Sequence, residues 1–394
     1  MSVTAARGFR AGSATAGLKP SGRPDVALVV NDGPRDAVAA VFTRNRARAH
    51  PVLWSEQVVR SGSARALAVN AGNANCYTGP DGFLVTHRTA EHVAAVLSSL
   101  SPGGPEVGGG DVVVCSTGII GVPLDGGLLL GGLDAAAASL SPDDAASEAA
   151  ARAIMTTDTR PKAAVHRDPS GWTVGGIAKG AGMLAPALAT MLVHLTTDAD
   201  LDAAALDRAL RAATRVTFDR LDSDGCMSTN DTVSLMASGA SGVVPDEAAF
   251  TAALTDLCRD LGRQLLSDAE GAEHDVAIRV AGAASEDEAV EVGRAVARSA
   301  LVKTAVFGRD PNWGRILAAV GTTGAAFDPL EVDVAVNGVL VCRAGGPGED
   351  RDRVDLSGRD VEIVVDLHAG ASDATVWTND LTHAYVHENS AYTT

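Results

Sequence analysis

Short apolar runs rich in Ala and Val, cut by Gly, Pro and Asn, set the pattern of the first half of the chain. Residues 25–31, 38–42 and 65–70 read as short strands of this kind. Asn70-Ala71-Gly72-Asn73-Ala74-Asn75 then predicts a polar, turn-forming loop. Residues 85–100 read as a helix with Val85, Val93, Val96 and Leu97 as its apolar positions, and residues 101–110 as a Pro/Gly loop. Asp111-Val112-Val113-Val114-Cys115 predicts a short buried strand that delivers Ser116-Thr117-Gly118 at its end. Residues 142–155 predict an Ala-rich helix opening at Ser141-Pro142-Asp143-Asp144, where Pro fits the first turn and acids complement the helix dipole.

Trp172-Thr173-Val174 begins a strand that runs into a loop carrying Lys179, and Thr190 to Leu195 continues as an apolar strand. Residues 200–212 read as helix. Strands and helices then alternate, with strand 232–237, helix 246–266, strand 275–281, helix 285–299 and strand 302–307. Strand-like stretches at 331–336, 361–367 and 373–379 follow. Such a mixture implies an α/β or α+β protein with mixed sheets. There is no internal repeat and no low-complexity tail.

A chain of 394 residues suffices for two ordinary domains or one large α/β unit. The hydrophobic share of 46% supports a substantial core, and aromatics at only 4% make that core mainly Ala, Val and Leu. The net charge of −17 makes nucleic acid and anionic membrane poor partners, because such a surface repels phosphate. Five cysteines (Cys76, Cys115, Cys226, Cys258 and Cys342) without C-x-x-C spacing read as free thiols of a reducing compartment. The first ten residues lack the apolar core of a signal peptide, and no apolar run reaches about 18 residues. The expected location is cytoplasmic. The nine histidines form no metal-ligand pattern, and His383 and His387, four apart, read as structural.

Chemistry concentrates in Gly175-Gly176-Ile177-Ala178-Lys179-Gly180-Ala181-Gly182, followed by Met183 to Ala189 and then Thr190-Met191-Leu192. A small, flexible run leads to Ala189-Thr190, and an apolar strand follows. A threonine hydroxyl is a weak nucleophile without a base beside it. If the chain breaks before Thr190, the freed α-amine of the same residue can be that base, with an ordinary pKa of about 7.7–8.0. For an arbitrary Ala-Thr pair, a plain strand residue is the better reading. Here the flanking glycines permit the strained peptide that an N-to-O acyl shift requires. Lys179 does not belong to a P-loop, and Gly180-Ala181-Gly182 is not a dinucleotide fingerprint.

This stretch resembles the processing site of the glutamate N-acetyltransferase (ornithine acetyltransferase) family of arginine biosynthesis. The resemblance runs end to end. It includes Ser116-Thr117-Gly118-Ile119-Ile120-Gly121, Ile154-Met155-Thr156-Thr157-Asp158-Thr159, Asp224 to Thr232, Glu270-Gly271-Ala272, Leu301 to Ala305, Asp310 to Arg315 and the final Glu388 to Thr394. Cys76-Tyr77 departs from it, standing where smaller residues are expected. The resemblance implies cleavage between Ala189 and Thr190 into an α chain, 1–189, and a β chain, 190–394. It implies Thr190 as nucleophile and an oxyanion hole at Thr117 and Gly118. Substrate contacts are implied at Thr156 or Thr157, Lys179, Thr190, Glu270, Asn389 and Thr394.

The implied reaction is acetyl transfer from N2-acetylornithine to glutamate through an acetyl-Thr190 ester, with no cofactor. Some family members also take acetyl-CoA as donor, and the residues leave that open. The implied fold is a mixed-sheet α/β fold of the ornithine acetyltransferase/aminopeptidase type in two interlocked parts, assembled as an α2β2 heterotetramer. Two rivals differ in what they predict. An N-terminal nucleophile aminopeptidase or amidohydrolase would use water as acceptor, and an assay with ornithine as leaving group separates it. A binding or scaffold protein would be indifferent to Thr190. Asp310 to Arg315 reads as a structural turn with a buried Trp313, and Arg315 contributes at most remotely.

Overall fold

The computed structural model describes residues 2–100, 106–183 and 191–391. These form three sheets. The first runs β1 (Phe9–Ala14), β2 (Val26–Asn31), β4 (Ala66–Asn73) and β5 (Val112–Ile119). The second runs β3 (Ala37–Phe42), β9 (Thr232–Ala237), β8 (Leu192–Thr197), β7 (Thr173–Lys179) and β6 (Lys162–Arg167). Two parallel pairs, β4 with β5 and β8 with β9, are spanned by the helices α2 (Gly79–Leu100) and α5 (Ala203–Arg215), as parallel neighbours require. The other pairs in these two sheets are antiparallel.

The period-two alternation of side chains turns these sheets into a four-layer stack. On β5, Val113 and Cys115 face inward and share a core with Ile177, Leu192 and Met236 of the second sheet. Val112 and Val114 face the other way, against α2 and α3 (Gly126–Ala138). On β8, Val193 and Leu195 pack away from the first sheet, against α5 and α6 (Glu247–Ser267). The order is therefore helices, sheet, sheet, helices. α1 (His50–Val58) and α4 (Asp144–Ala153) close the edges of the first sheet.

The third sheet runs β13 (Gly346–Pro347), β12 (Val339–Arg343), β11 (Asp333–Val336), β14 (Asp360–Asp366), β10 (Asp275–Ala283) and β15 (Ser372–Asn379). It carries its own Val-rich core with α7 (Glu286–Arg298), α8 (Ala300–Phe307) and α9 (Trp313–Val320). The last described element is α10 (His383–Ala391).

The mixed α/β architecture and the Ala, Val and Leu core agree with the sequence, and all five cysteines are free thiols. Several elements differ from expectation. The Asn70–Asn75 run is not a loop throughout: β4 pairs with β5 as far as Asn73, and only there does the turn begin, with Asn73 Oδ1 accepting the Asn75 N–H at 2.8 Å. β5 likewise runs through Ser116, Thr117 and Gly118. The helix at 142–155 is shorter; Asp143 is its N-cap, so Pro142 precedes the helix.

Residues 302–307 are helical, not a strand. Ser299 caps α8, and Val302, Lys303, Ala305 and Val306 bury a helical stripe. Trp313 is only half-buried and opens α9, and Arg315 bonds the Leu301 carbonyl at 2.8 Å, off the candidate site. His383 and His387 lie together on α10, not in a strand or turn. β1, α1, α3, β6, β12 and α10 have no counterpart in the sequence reading.

Phe250 on α6 is buried against Trp172, ring centroids 5.3 Å apart, at the centre of the second sheet's outer core. Phe250→Ala is expected to cost about 3–5 kcal/mol. Urea unfolding should show it as a lower midpoint with an unchanged slope.

Candidate active site

The two central sheets approach each other at one end of their shared layer, and polar side chains replace apolar ones there. Alternation along β5 puts Thr117 on the same face as Cys115, and alternation along β7 puts Lys179 on the face of Ile177. Lys179 Nζ donates to Thr117 Oγ1 at 3.2 Å across the layer. Both residues are buried. Lys179, expected in a loop, is the last residue of β7 and pairs with Leu192 of β8.

Gly118 follows Thr117 with φ of +127°, and a Cβ there would overlap the Gly72 backbone of β4. Only glycine lets the two parallel strands meet this closely.

Three further segments complete the wall. Thr156 and Thr157 follow α4, and the Thr156 N–H donates to Asp158 at 3.0 Å. Glu270 lies just beyond α6, tied by its N–H to the Ala181 carbonyl at 2.9 Å. A Cβ on Gly182 would overlap the Glu270 carboxylate, so the glycine there admits the acid to the site. Asn389 on α10 donates to Glu270 Oε2 at 3.0 Å, which brings this helix back to the cavity.

A cavity of about 110 Å³ is lined by Thr117, Gly118, Thr156, Thr157, Lys179, Glu270 and Asn389, with Asn230 among its other walls. It adjoins a groove of about 1020 Å³ that shares Gly118, Thr156, Thr157 and Glu270. Ala189, Thr190 and Thr394 lie outside the described residues. Among the described residues no group of side chains could hold a metal ion.

The electrostatics of this cavity are uneven. Burial pushes the Lys179 ammonium below its ordinary pKa, against the carboxylates of Asp158, Asp231 and Glu270, while Lys162 adds to the lowering. Burial would raise the Asp158 carboxyl, but Lys179, Lys162 and the Gly180 N–H outweigh it and hold it below the usual range. Two further acids lie within electrostatic reach of Glu270. Burial raises Asp224, which accepts the Met183 N–H at 2.6 Å, and burial with the Glu270 charge raises Glu388. The cavity wall thus carries an ammonium, Lys179, and a carboxylate, Glu270. That pattern suits a zwitterion carrying an additional ammonium.

Three participants were not read as site residues from the sequence. Asn230 donates to the carbonyls of Ala74 at 2.6 Å and Ser116 at 2.9 Å, bracing the strand that bears Thr117. Asp231, wholly buried, accepts the Met191 N–H at 3.1 Å, and burial raises its carboxyl well above the ordinary range. Asp158 joins Thr156 to Gly180, whose N–H it accepts at 2.7 Å. The available signal was polarity: Asp231 directly precedes an apolar strand, where an acid is out of place without a partner.

Comparison with known proteins adds a family. A model of the ArgJ family matches residues 10–394. The arginine biosynthesis bifunctional protein ArgJ of Streptomyces coelicolor is 61% identical over 393 residues, spanning all of both chains. Its counterpart in Thermobifida fusca is 58% identical over 394 residues, again across both full lengths. Among solved structures, ornithine acetyltransferase complexed with ornithine from Mycobacterium tuberculosis is 51% identical. That alignment covers 47% of this chain and 94% of that chain, with a TM-score of 0.46.

Gly118→Ala adds a methyl group where β4 leaves no room, so it should cost about 1–3 kcal/mol through strain and overpacking. Calorimetry would show a lower melting temperature. An unchanged melting temperature would mean that the two strands are not in fixed contact.

Proposed function

The chain belongs to the ArgJ family, and from that premise we propose that it is a glutamate N-acetyltransferase that moves the acetyl group of N2-acetylornithine to glutamate. The observation that carries this reading is the single cavity shared by Thr117, Gly118, Thr156, Thr157, Lys179, Glu270 and Asn389, residues drawn from widely separated segments. The precursor cleaves itself between Ala189 and Thr190, giving chains 1–189 and 190–394. The Thr190 hydroxyl is the nucleophile and its freed α-amine is the base.

In the first half-reaction Thr190 Oγ attacks the acetyl carbonyl carbon, and the hydroxyl proton passes to the α-amine. The Gly118 N–H and the Thr117 hydroxyl donate to the oxyanion. Lys179 matters here: it donates to Thr117 Oγ1, so the Thr117 hydroxyl keeps its own proton for the oxyanion. The intermediate collapses as the C–N bond breaks, and the α-amine returns the proton to the departing ornithine amine. In the second half-reaction the glutamate amine attacks the acetyl-Thr190 ester, and N-acetylglutamate leaves with Thr190 regenerated.

The ornithine side-chain ammonium is held by the Glu270 carboxylate. Thr156, Thr157, Asn389 and Thr394 complete the substrate contacts. The second donor that the family resemblance implies, acetyl-CoA, would acylate the same threonine. The chains assemble as α2β2. No helix among the described residues is long and apolar enough to cross a membrane, and a cytoplasmic place goes with a biosynthetic role.

Intact mass analysis of the denatured protein should show two chains, one beginning Thr190-Met191-Leu192. Thr190→Ala removes nucleophile and base together, so it should remain one chain of 39.9 kDa without transferase activity. Normal processing in that variant would sink the mechanism.

Glu270→Ala should still process. Its KM for N-acetylornithine should rise by about 10- to 150-fold, the loss of a charge-assisted contact worth about 1.5–3 kcal/mol. Steady-state kinetics with unchanged KM would remove Glu270 from the site.

A further inference from the structure

Behind the cavity wall lies a buried ionic cluster that the mechanism above does not use. Lys162, the first residue of β6, has no exposed surface. Its Nζ donates to Asp158 Oδ1 and to Asp268 Oδ2, each at 2.6 Å. Both acids are buried as well. Asp158 also accepts the N–H groups of Thr156 and Gly180, at 3.0 and 2.7 Å. Asp268, two residues before Glu270, accepts the Thr159 N–H at 3.1 Å and the Thr159 hydroxyl.

One ammonium therefore ties together the segments that carry Thr156, Lys179 and Glu270. We propose that Lys162 is a positioning residue of the acyl-transfer site, holding Asp158 and Asp268 together so that these three walls keep one geometry. This rests on the transferase reading, which gives those walls their roles.

A merely structural reading would end at stability, since removing one partner of a buried ionic cluster costs several kcal/mol in general. The cluster does more because Asp158 also faces Lys179. The charged groups acting on Lys179 are Asp158, Asp231 and Glu270, which favour its ammonium, and Lys162 and Lys19, which oppose it. Lys162 and Asp158 thus act on Lys179 in opposite senses. Removing the Lys162 charge must raise the Lys179 pKa, and neutralising Asp158 must lower it. In the proposed mechanism Lys179 works as an ammonium, so its deprotonation sets the basic limb of activity and the Thr190 amine sets the acid limb. The cluster also joins residues 158 and 162 to residue 268, on either side of the proposed cleavage point.

The test is the pH dependence of kcat/KM for N-acetylornithine, which in a ping-pong scheme reports the acylation half alone. It is measured on full-length processed wild type, Lys162→Met and Asp158→Asn. The basic limb is expected to move up by about one pH unit in Lys162→Met and down by about one unit in Asp158→Asn. Limbs that stay in place, or move in the same direction, would overturn the proposal. If Lys162→Met does not yield folded protein, Asp158→Asn decides alone, because its limb must move down. A wild type that transfers no acetyl group from N-acetylornithine defeats the transferase reading instead, so the two failures are distinguishable.

Discussion

A lysine ammonium between two packed sheets is the constraint around which this site is organised. Lys179 has almost no contact with solvent, and desolvation lowers its pKa. Three acidic side chains act against that lowering. Asp158, Asp231 and Glu270 come from three different segments, and each is itself buried or partly buried and requires partners. Asp158 finds them in Lys162 and two backbone N–H groups, and Asp231 in the Met191 N–H. Removing one charge would strand the next. The polar network is therefore a connected whole, and its geometry is fixed more firmly than a set of separate surface contacts would be.

The layered fold explains where such a network can exist. Over most of their area the central sheets bury Val, Leu, Ile and Ala against each other, which leaves no place for charge. At one end the alternation brings Thr117 and Lys179 inward, and the loops after α4 and α6 close over them. The third sheet adds no strand to this layer. Its β15 leads into α10, and α10 sets Asn389 against Glu270. A domain with its own core thus delivers this helix to a site built mostly elsewhere.

Much of this was legible in the residues, and the exceptions have physical reasons. The strand at 232–237 and the long helix that follows it carry clear periods, and they fold as read. Residues 302–307 misled because Val and Phe favour strands locally, whereas the Ser299 cap and a helical burial stripe decide the outcome. The Asn-rich run misled because amide side chains usually turn the chain, and here the pairing of β4 with β5 carries the strand on to Asn73. The candidate residues came through resemblance, and the structure gathers seven of them in one cavity. Lys162, Asp268 and Asn230 escaped because their importance lies in partners over a hundred residues away, such as Asp268 for Lys162. No local pattern encodes such a pairing.

A break between residues 189 and 190 also has to leave the fold standing, and the sheet shows why it can. β7 and β8 pair antiparallel from Val174 with Thr197 to Lys179 with Leu192, so the ladder is complete without the connection between them. Beyond the ladder, Met191 is held twice: its N–H by Asp231, and its carbonyl by the Thr232 N–H at 3.2 Å. On the other side, Gly180 is held by Asp158, Ala181 by the Glu270 N–H and Met183 by Asp224. Both flanks are thus fastened to partners elsewhere in the structure. β3, β6 and β7 of the second sheet precede the proposed break, and β8 and β9 follow it. Five hydrogen-bonded strands drawn from both sides of the proposed break would then hold the two pieces together.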